Sequence, residues 1–233
     1  MKILYDNMLK TATLTATNEN SNYPVANLFH KWKKKYFQAT ANSCVITAVL
    51  PSAVTVTSVA LSYHNLSACT VRGYNAADEL ISAWTIPVNA QTTAYYSTVA
   101  AVKKVTITCN SSATVFVGSL FVGTSLSISK SADQNIPLDS TDVPTISSDG
   151  QVSGRTSSIL RGANVTLPIL TYTERQAIET VFTQCGLIVP FFLDLWDLSH
   201  TQFPPLYGRF ASGLSVSHGK DGDTVSFDFK ECN

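Results

Sequence analysis

The sequence predicts a mainly β protein: an N-terminal antiparallel β-sandwich, then a small β-sandwich or split barrel carrying one α-helix over residues 173–185. Three observations predict this. Short runs rich in Val, Thr and Ile alternate apolar and polar residues, the period of a half-buried strand. Charged residues make up only 14% of the chain, and Thr, Ser, Val and Ala take their place, as on a pleated surface. One segment alone shows helical spacing.

The strands follow in order. Val45–Leu50 is one, and Pro51 is expected to break the chain after it. Val54–Tyr63, Thr70–Tyr74, Ile81–Pro87, Ala94–Thr98, Val102–Cys109 and Thr114–Val122 complete a first domain over residues 1–124. Residues 125–154 are rich in Ser, Asp and Pro and lack apolar periodicity, which reads as an extended linker or arm. Residues 155–233 form the second domain. A strand ends at Val165–Ile169, and Thr173 with Gln176 fits a capping box. Ala177, Ile178, Val181, Phe182 and Cys185 recur on one helix face, and Gly186 supplies the stop. The run Leu187–Leu193 reads as buried. The segment Leu206-Tyr207-Gly208-Arg209 follows, and then a hairpin in which Leu214, Val216 and His218 alternate before a Lys220–Asp223 turn. Val225, Phe227 and Phe229 alternate after it.

With 16 basic and 16 acidic residues in 233, the net charge is zero, and the whole-chain basic footprint of a nucleic-acid binder is missing. Five cysteines (44, 69, 109, 185 and 232) lack CxxC or zinc-ligand spacing, and are expected as free thiols in a reducing cytoplasm. No run reaches the ~18 apolar residues of a membrane span, and the first residues lack the apolar core of a signal peptide. The sequons at Asn65, Asn110 and Asn164 are read as chance. No cofactor is expected.

The segment Tyr23-Pro24-Val25-Ala26-Asn27-Leu28-Phe29, followed by Trp32 and Tyr36-Phe37, resembles the opening of galactose-binding-like (discoidin-type) β-sandwiches. So do the strand Cys44–Leu50 after it, the strand Val56–Tyr63 with its turn His64–Ser67, and the closing run Thr114–Gly123. Where members of that family carry an acidic residue and Gly near a structural calcium, this chain has His30-Lys31. That charge has the wrong sign for a hard cation, and no metal is expected there. In the C-terminal third, the order of helix, Pro190-Phe191-Phe192, Leu206-Tyr207-Gly208 and final Phe227-Asp228-Phe229 is similar to the distal-tail, tail-tip and baseplate modules of siphophages. That resemblance implies a ring of threefold or sixfold symmetry.

No motif commits the chain to catalysis. Ser217, His218 and Asp221 lie close in sequence, but successive strand residues face opposite sides, and no GxSxG elbow exists. Asp194 and Asp197, flanking Trp196, are the best local carboxylate pair for a glycosidase, and read better as the end of a strand. The run Lys31–Phe37 interleaves Lys with aromatics and suits an anionic partner. For a glycan or such a partner the candidates are Trp32, Lys33, Tyr36, Tyr63, His64 and Arg72, with Trp84 as a further aromatic. The expected function is a non-enzymatic structural component of a phage tail tip or baseplate, located in the virion and made in the host cytoplasm. Its partners would be copies of itself in a trimer or hexamer, other tail proteins and the host surface. The alternative is a carbohydrate-binding module that recognises bacterial surface glycan.

Overall fold

The structure is a computed structural model that describes residues 1–29, 35–88, 90–129, 133–135, 138–140, 143–146, 152–155, 159–195 and 204–232. The chain divides into two compact units. One comprises Met1–Ile128 and Phe191–Tyr207, the other Ser129–Pro190 and Gly208–Asn233. The sequence reading placed 191–207 with the C-terminal module; in the structure that segment belongs to the first unit.

In the first unit the strands are β1 (Lys2–Asn7), β2 (Thr13–Ala16), β3 (Phe37–Gln38), β4 (Ser43–His64), β5 (Ala68–Tyr74), β6 (Leu80–Ile86), β7 (Thr92–Asn110) and β8 (Phe116–Ser127). All pair antiparallel, and two long strands organise them. β4 and β7 run side by side from Ser43↔Asn110 to Ser62↔Thr92, slipping register between Val49 and Ser58. Before the slip, β4 pairs β2 and β7 pairs β5, which pairs β6. After it, β4 pairs β8, and β8 pairs β1. Both halves face one core. Ile46, Ala48, Val71, Val105 and Ile107 come from the first, and Val59, Leu61, Val117, Leu120 and Val122 from the second. Each of the Val, Leu and Ile side chains contributes roughly 1.5–3 kcal/mol on burial. The antiparallel β-sandwich read from the alternation is thus present.

Pro51 does not break the chain. It lies exposed inside the 22-residue β4, where the ladder opens between Val49 and Val54. A residue without an N–H costs nothing where no ladder bond is needed. In the same way the two predicted strands 94–98 and 102–109 are one, β7, which turns through Ala101 at φ +58°.

The second unit holds β9 (Asp133–Asn135), β10 (Leu138–Ser140), β11 (Val143–Ile146), β12 (Val152–Arg155), β13 (Ile159–Leu170) and α1 (Tyr172–Cys185). A short β14 (Phe191–Asp194) returns to the first unit and pairs with β1. β15 (Leu206–Phe210), β16 (Ser215–Gly219) and β17 (Gly222–Glu231) follow. β17 pairs with β13, β15 and β16. The span read as an arm is therefore largely paired: β9 and β10 add to β13, and β11 with β12 forms a hairpin. Phe182 and Phe210 meet edge-on at 5.2 Å, as do Phe210 and Phe227, and close the core under α1.

The helix is where the spacing placed it, but its cap is not. Thr171, not Thr173, is the N-cap. Its hydroxyl accepts from the Glu174 N–H at 3.3 Å, and the Thr171 N–H donates to the Glu174 carboxylate at 3.0 Å. Both pairs have three-residue spacing, and the strand leaving Leu170 decides which one sits at the helix start. Gly186 ends the helix at φ +50°. Leu187 and Ile188, read as buried, are exposed, and burial begins at Phe191. The hairpin is as predicted, with Val216 opposite Val225.

Candidate functional site

Four aromatic rings gather at one end of the first unit. Tyr23 precedes a 3-10 turn over Val25–Phe29, and Tyr36 precedes β3. Two hydrogen bonds hold these segments together: Gln38 N–H to the Tyr23 carbonyl at 3.1 Å, and the Asn27 side-chain amide to the Tyr36 carbonyl at 3.0 Å. The Tyr23 and Tyr36 rings stack, with centroids 4.8 Å apart and planes 15° apart. Because β3 pairs with the start of β8, Tyr36 meets Phe116 edge-on at 5.9 Å. Tyr63, at the end of β4, also meets Phe116, at 5.4 Å. Aromatic pairs of this kind add about 0.5–1.5 kcal/mol each beyond area burial.

Tyr63 has an unusual backbone. Its φ is +55°, the left-handed region that a bulky residue rarely adopts. Such strain persists only where the surroundings fix it, and it gathers at functional sites. The ring lies over Gly118, where a Cβ would sit 2.9 Å from both the Cβ and Cδ1 of Tyr63. Tyr63 remains 39% exposed. The next turn is held by Asn65. Its side chain donates to the Thr114 carbonyl at 2.7 Å and accepts from the Phe116 N–H at 2.9 Å. The Tyr23 hydroxyl, together with burial, pushes the Tyr36 phenol above its ordinary range.

His64 follows Tyr63 at the end of β4. It is 4% exposed and lines a recess of about 440 Å³ with Asn65, Leu66, Val88, Ala90 and Gln91. Its Nδ1 accepts the Leu66 N–H at 3.3 Å, so in the neutral ring Nε2 carries the proton. Among the described residues Nε2 makes no hydrogen bond of good geometry, although the Ala90 backbone lies near enough to act on the ring. Burial lowers the imidazole pKa, and the Ala90 backbone offsets part of that.

The structure therefore brings Tyr36 and Tyr63 together through Phe116, while His64 lines the recess just described. Arg72 is exposed on the outer face of β5 and makes none of these contacts. Trp84 is buried against Tyr95 at 6.4 Å and serves the core. Trp32 and Lys33, with most of the lysine run, lie outside the described residues. The sequence reading missed Tyr23, Phe116 and Gly118 as site residues. The available signal was the strand-end position of Phe116 directly after the Ser/Ala/Thr turn that Asn65 clamps.

Asp194 and His218, from the two catalytic patterns considered, have structural partners. Asp194, 1% exposed, accepts the Tyr96 hydroxyl at 2.8 Å, and Asp197 lies outside the described residues. His218 pairs with Asp223 at 2.8 Å across the hairpin, not with Asp221. Among the described residues no group of three acidic, His or Cys side chains could hold a metal.

No protein-family model matches the chain, and no curated protein does. Several solved structures are similar to about half of it. Chitosan-binding module 1 from a chitosanase/glucanase of Paenibacillus sp. IK-5 is 14% identical, with a TM-score of 0.44 over 51% of this chain and 99% of its own. The family 32 carbohydrate-binding module of C. perfringens NanJ, in complex with galactose, is 15% identical, with a TM-score of 0.43 over 52% and 98%. A fucose-binding module of Streptococcus pneumoniae is 12% identical, with a TM-score of 0.44 over 51% and 98%. No function follows from likenesses at this level.

Proposed function

We propose that the first unit is a non-catalytic carbohydrate-binding module whose ligand stacks on the platform of Tyr23, Tyr36, Phe116 and Tyr63. The observation that carries this reading is Tyr63: a large ring held in a strained backbone conformation, yet left 39% exposed. A core role would bury the ring, and a spacer role would not require the strain. A half-exposed tyrosine offers an apolar face for the C–H side of a sugar ring and a hydroxyl for its rim. His64 lines a recess next in sequence to this platform.

A glycan array with the full chain, followed by calorimetric titration of any hit, tests the reading. The expected result is a glycan whose affinity falls at least about tenfold, or ~1.4 kcal/mol, in both Tyr36→Ala and Tyr63→Ala. An array without hits, or a hit indifferent to both substitutions, overturns it. The tail-assembly reading rests on the order of segments in the C-terminal third alone, and no contact described above favours it. Light scattering over a concentration series decides that reading separately: a stable trimer or hexamer would restore it.

A further inference from the structure

Three of the five cysteines stand in one row across three adjacent strands. Cys44 on β4 is the register partner of Cys109 on β7, and Cys109 is the partner of Cys69 on β5. All three are buried and reduced. Each is one residue from the end of its strand, next to Ser43, Asn110 and Ala68.

Ladder parity separates the two pairs. The Ser111 N–H donates to the Asn42 carbonyl at 2.9 Å, and these residues continue the register of Ser43↔Asn110 and Cys44↔Cys109. Ser111 thus turns its backbone polar groups toward β4. Successive residues of an antiparallel strand turn theirs to alternate sides. Asn110 accordingly faces β5, where its carbonyl accepts the Ser67 N–H at 2.8 Å, and Cys109 faces β4. Cys44–Cys109 is then the hydrogen-bonded pair and Cys69–Cys109 the non-hydrogen-bonded one, whose side chains stand closer. A disulfide needs Cβ atoms about 3.5–4.5 Å apart, and Cys69–Cys109 comes nearest to that.

We infer that this row is a thiol–disulfide exchange site in which Cys109 is the obligate partner, and that its oxidised form is a Cys69–Cys109 disulfide with the Cys44 thiol left beside it. The oxidant is a small-molecule disulfide such as glutathione disulfide, admitted when the strand ends open locally. Cys44 is suited to attack first, because the hydrogen bond from Cys109 lowers its pKa. Donating its S–H to Cys44 and to Cys69, together with burial, holds Cys109 well above the usual thiol range. The Cys44 thiolate attacks one glutathione sulfur and expels a glutathione thiolate. Cys109 gives its proton to that departing thiolate, attacks the Cys44 sulfur and expels the second glutathione as thiolate. Cys69 then displaces Cys44 from Cys109, a step with no net electron transfer. Two protein thiols are oxidised, and one glutathione disulfide is reduced to two thiols. Because Cys109 can bond only one neighbour, the two disulfides exclude each other.

The test is disulfide mapping of the full chain. The reduced protein is equilibrated with glutathione disulfide, acid-quenched, alkylated and mapped by mass spectrometry without reduction. The expected result is a joined Cys69–Cys109 peptide pair with Cys44 alkylated. Cys69→Ala should shift the bond to Cys44–Cys109. Cys109→Ala should leave both other thiols free, since they lie two strand spacings, about 9–10 Å, apart. The inference fails if all three thiols stay reduced under conditions that modify Cys232, if Cys44–Cys109 predominates in the wild type, or if Cys44 joins Cys69. The wild-type map decides the matter even if a variant does not fold.

Discussion

A Cβ on residue 118 would lie 2.9 Å from the Cβ of Tyr63, so the bare backbone of Gly118 is what lets the Tyr63 ring lie across β8 beside Phe116. Gly118→Ala should therefore act on the platform directly. We expect a loss of about 1–3 kcal/mol of stability from overpacking, read by urea denaturation, together with loss of glycan binding. Unchanged binding in a folded Gly118→Ala protein would remove Tyr63 from the ligand's path.

Tyr63 itself offers a cleaner separation of binding from folding. The left-handed backbone costs an L-residue roughly 1–2 kcal/mol, a cost that glycine does not carry. Tyr63→Gly should accordingly be more stable than Tyr63→Ala by about 1 kcal/mol, while both lose ligand equally. Equal stabilities in thermal unfolding would mean the backbone there relaxes once the ring is gone.

His64 makes stability depend on pH. Its folded pKa lies below the ordinary 6.5, so between the two values the unfolded chain binds more protons than the folded one. Its contribution is fully present above pH 6.5 and is lost as pH falls through the folded value, with a slope of at most about 1.4 kcal/mol per unit. His64→Asn keeps an acceptor for the Leu66 N–H and should flatten stability between pH 7 and 5. An unchanged slope would place the titration elsewhere.

At the helix start, Thr171→Ala should cost about 1 kcal/mol through loss of the cap, and Thr173→Ala only a few tenths. The reverse order in chemical denaturation would restore the cap that spacing alone suggested.

The residues that were hard to read share a physical cause. Local pattern was enough for the β16–β17 hairpin, because Asp221-Gly222 and the alternation on either side agree, and for the apolar face of α1. Pro51 was misread because sequence does not show where a ladder slips register. The cap was misread because two Thr pairs with the same spacing compete, and the preceding strand chooses between them. Tyr36 was legible as a candidate from the interleaved Lys31–Phe37 run, and Tyr63 from its place at the end of the strand Val54–Tyr63. Their partners Tyr23 and Phe116 were not, since the pairing of β3 with β8 that unites them joins residues about eighty positions apart.

The pairing of β1 with β14, Lys2 opposite Asp194, has a bearing on biosynthesis. At about 5–20 residues per second, Lys2 waits some tens of seconds after its own synthesis for its partner to leave the ribosome. Until then one side of β1 offers bare N–H and C=O groups to any extended neighbour. A fragment cut after residue 128 would keep that side open permanently. Expressing the platform in isolation therefore calls for the distant stretch 191–207 to be carried along with it.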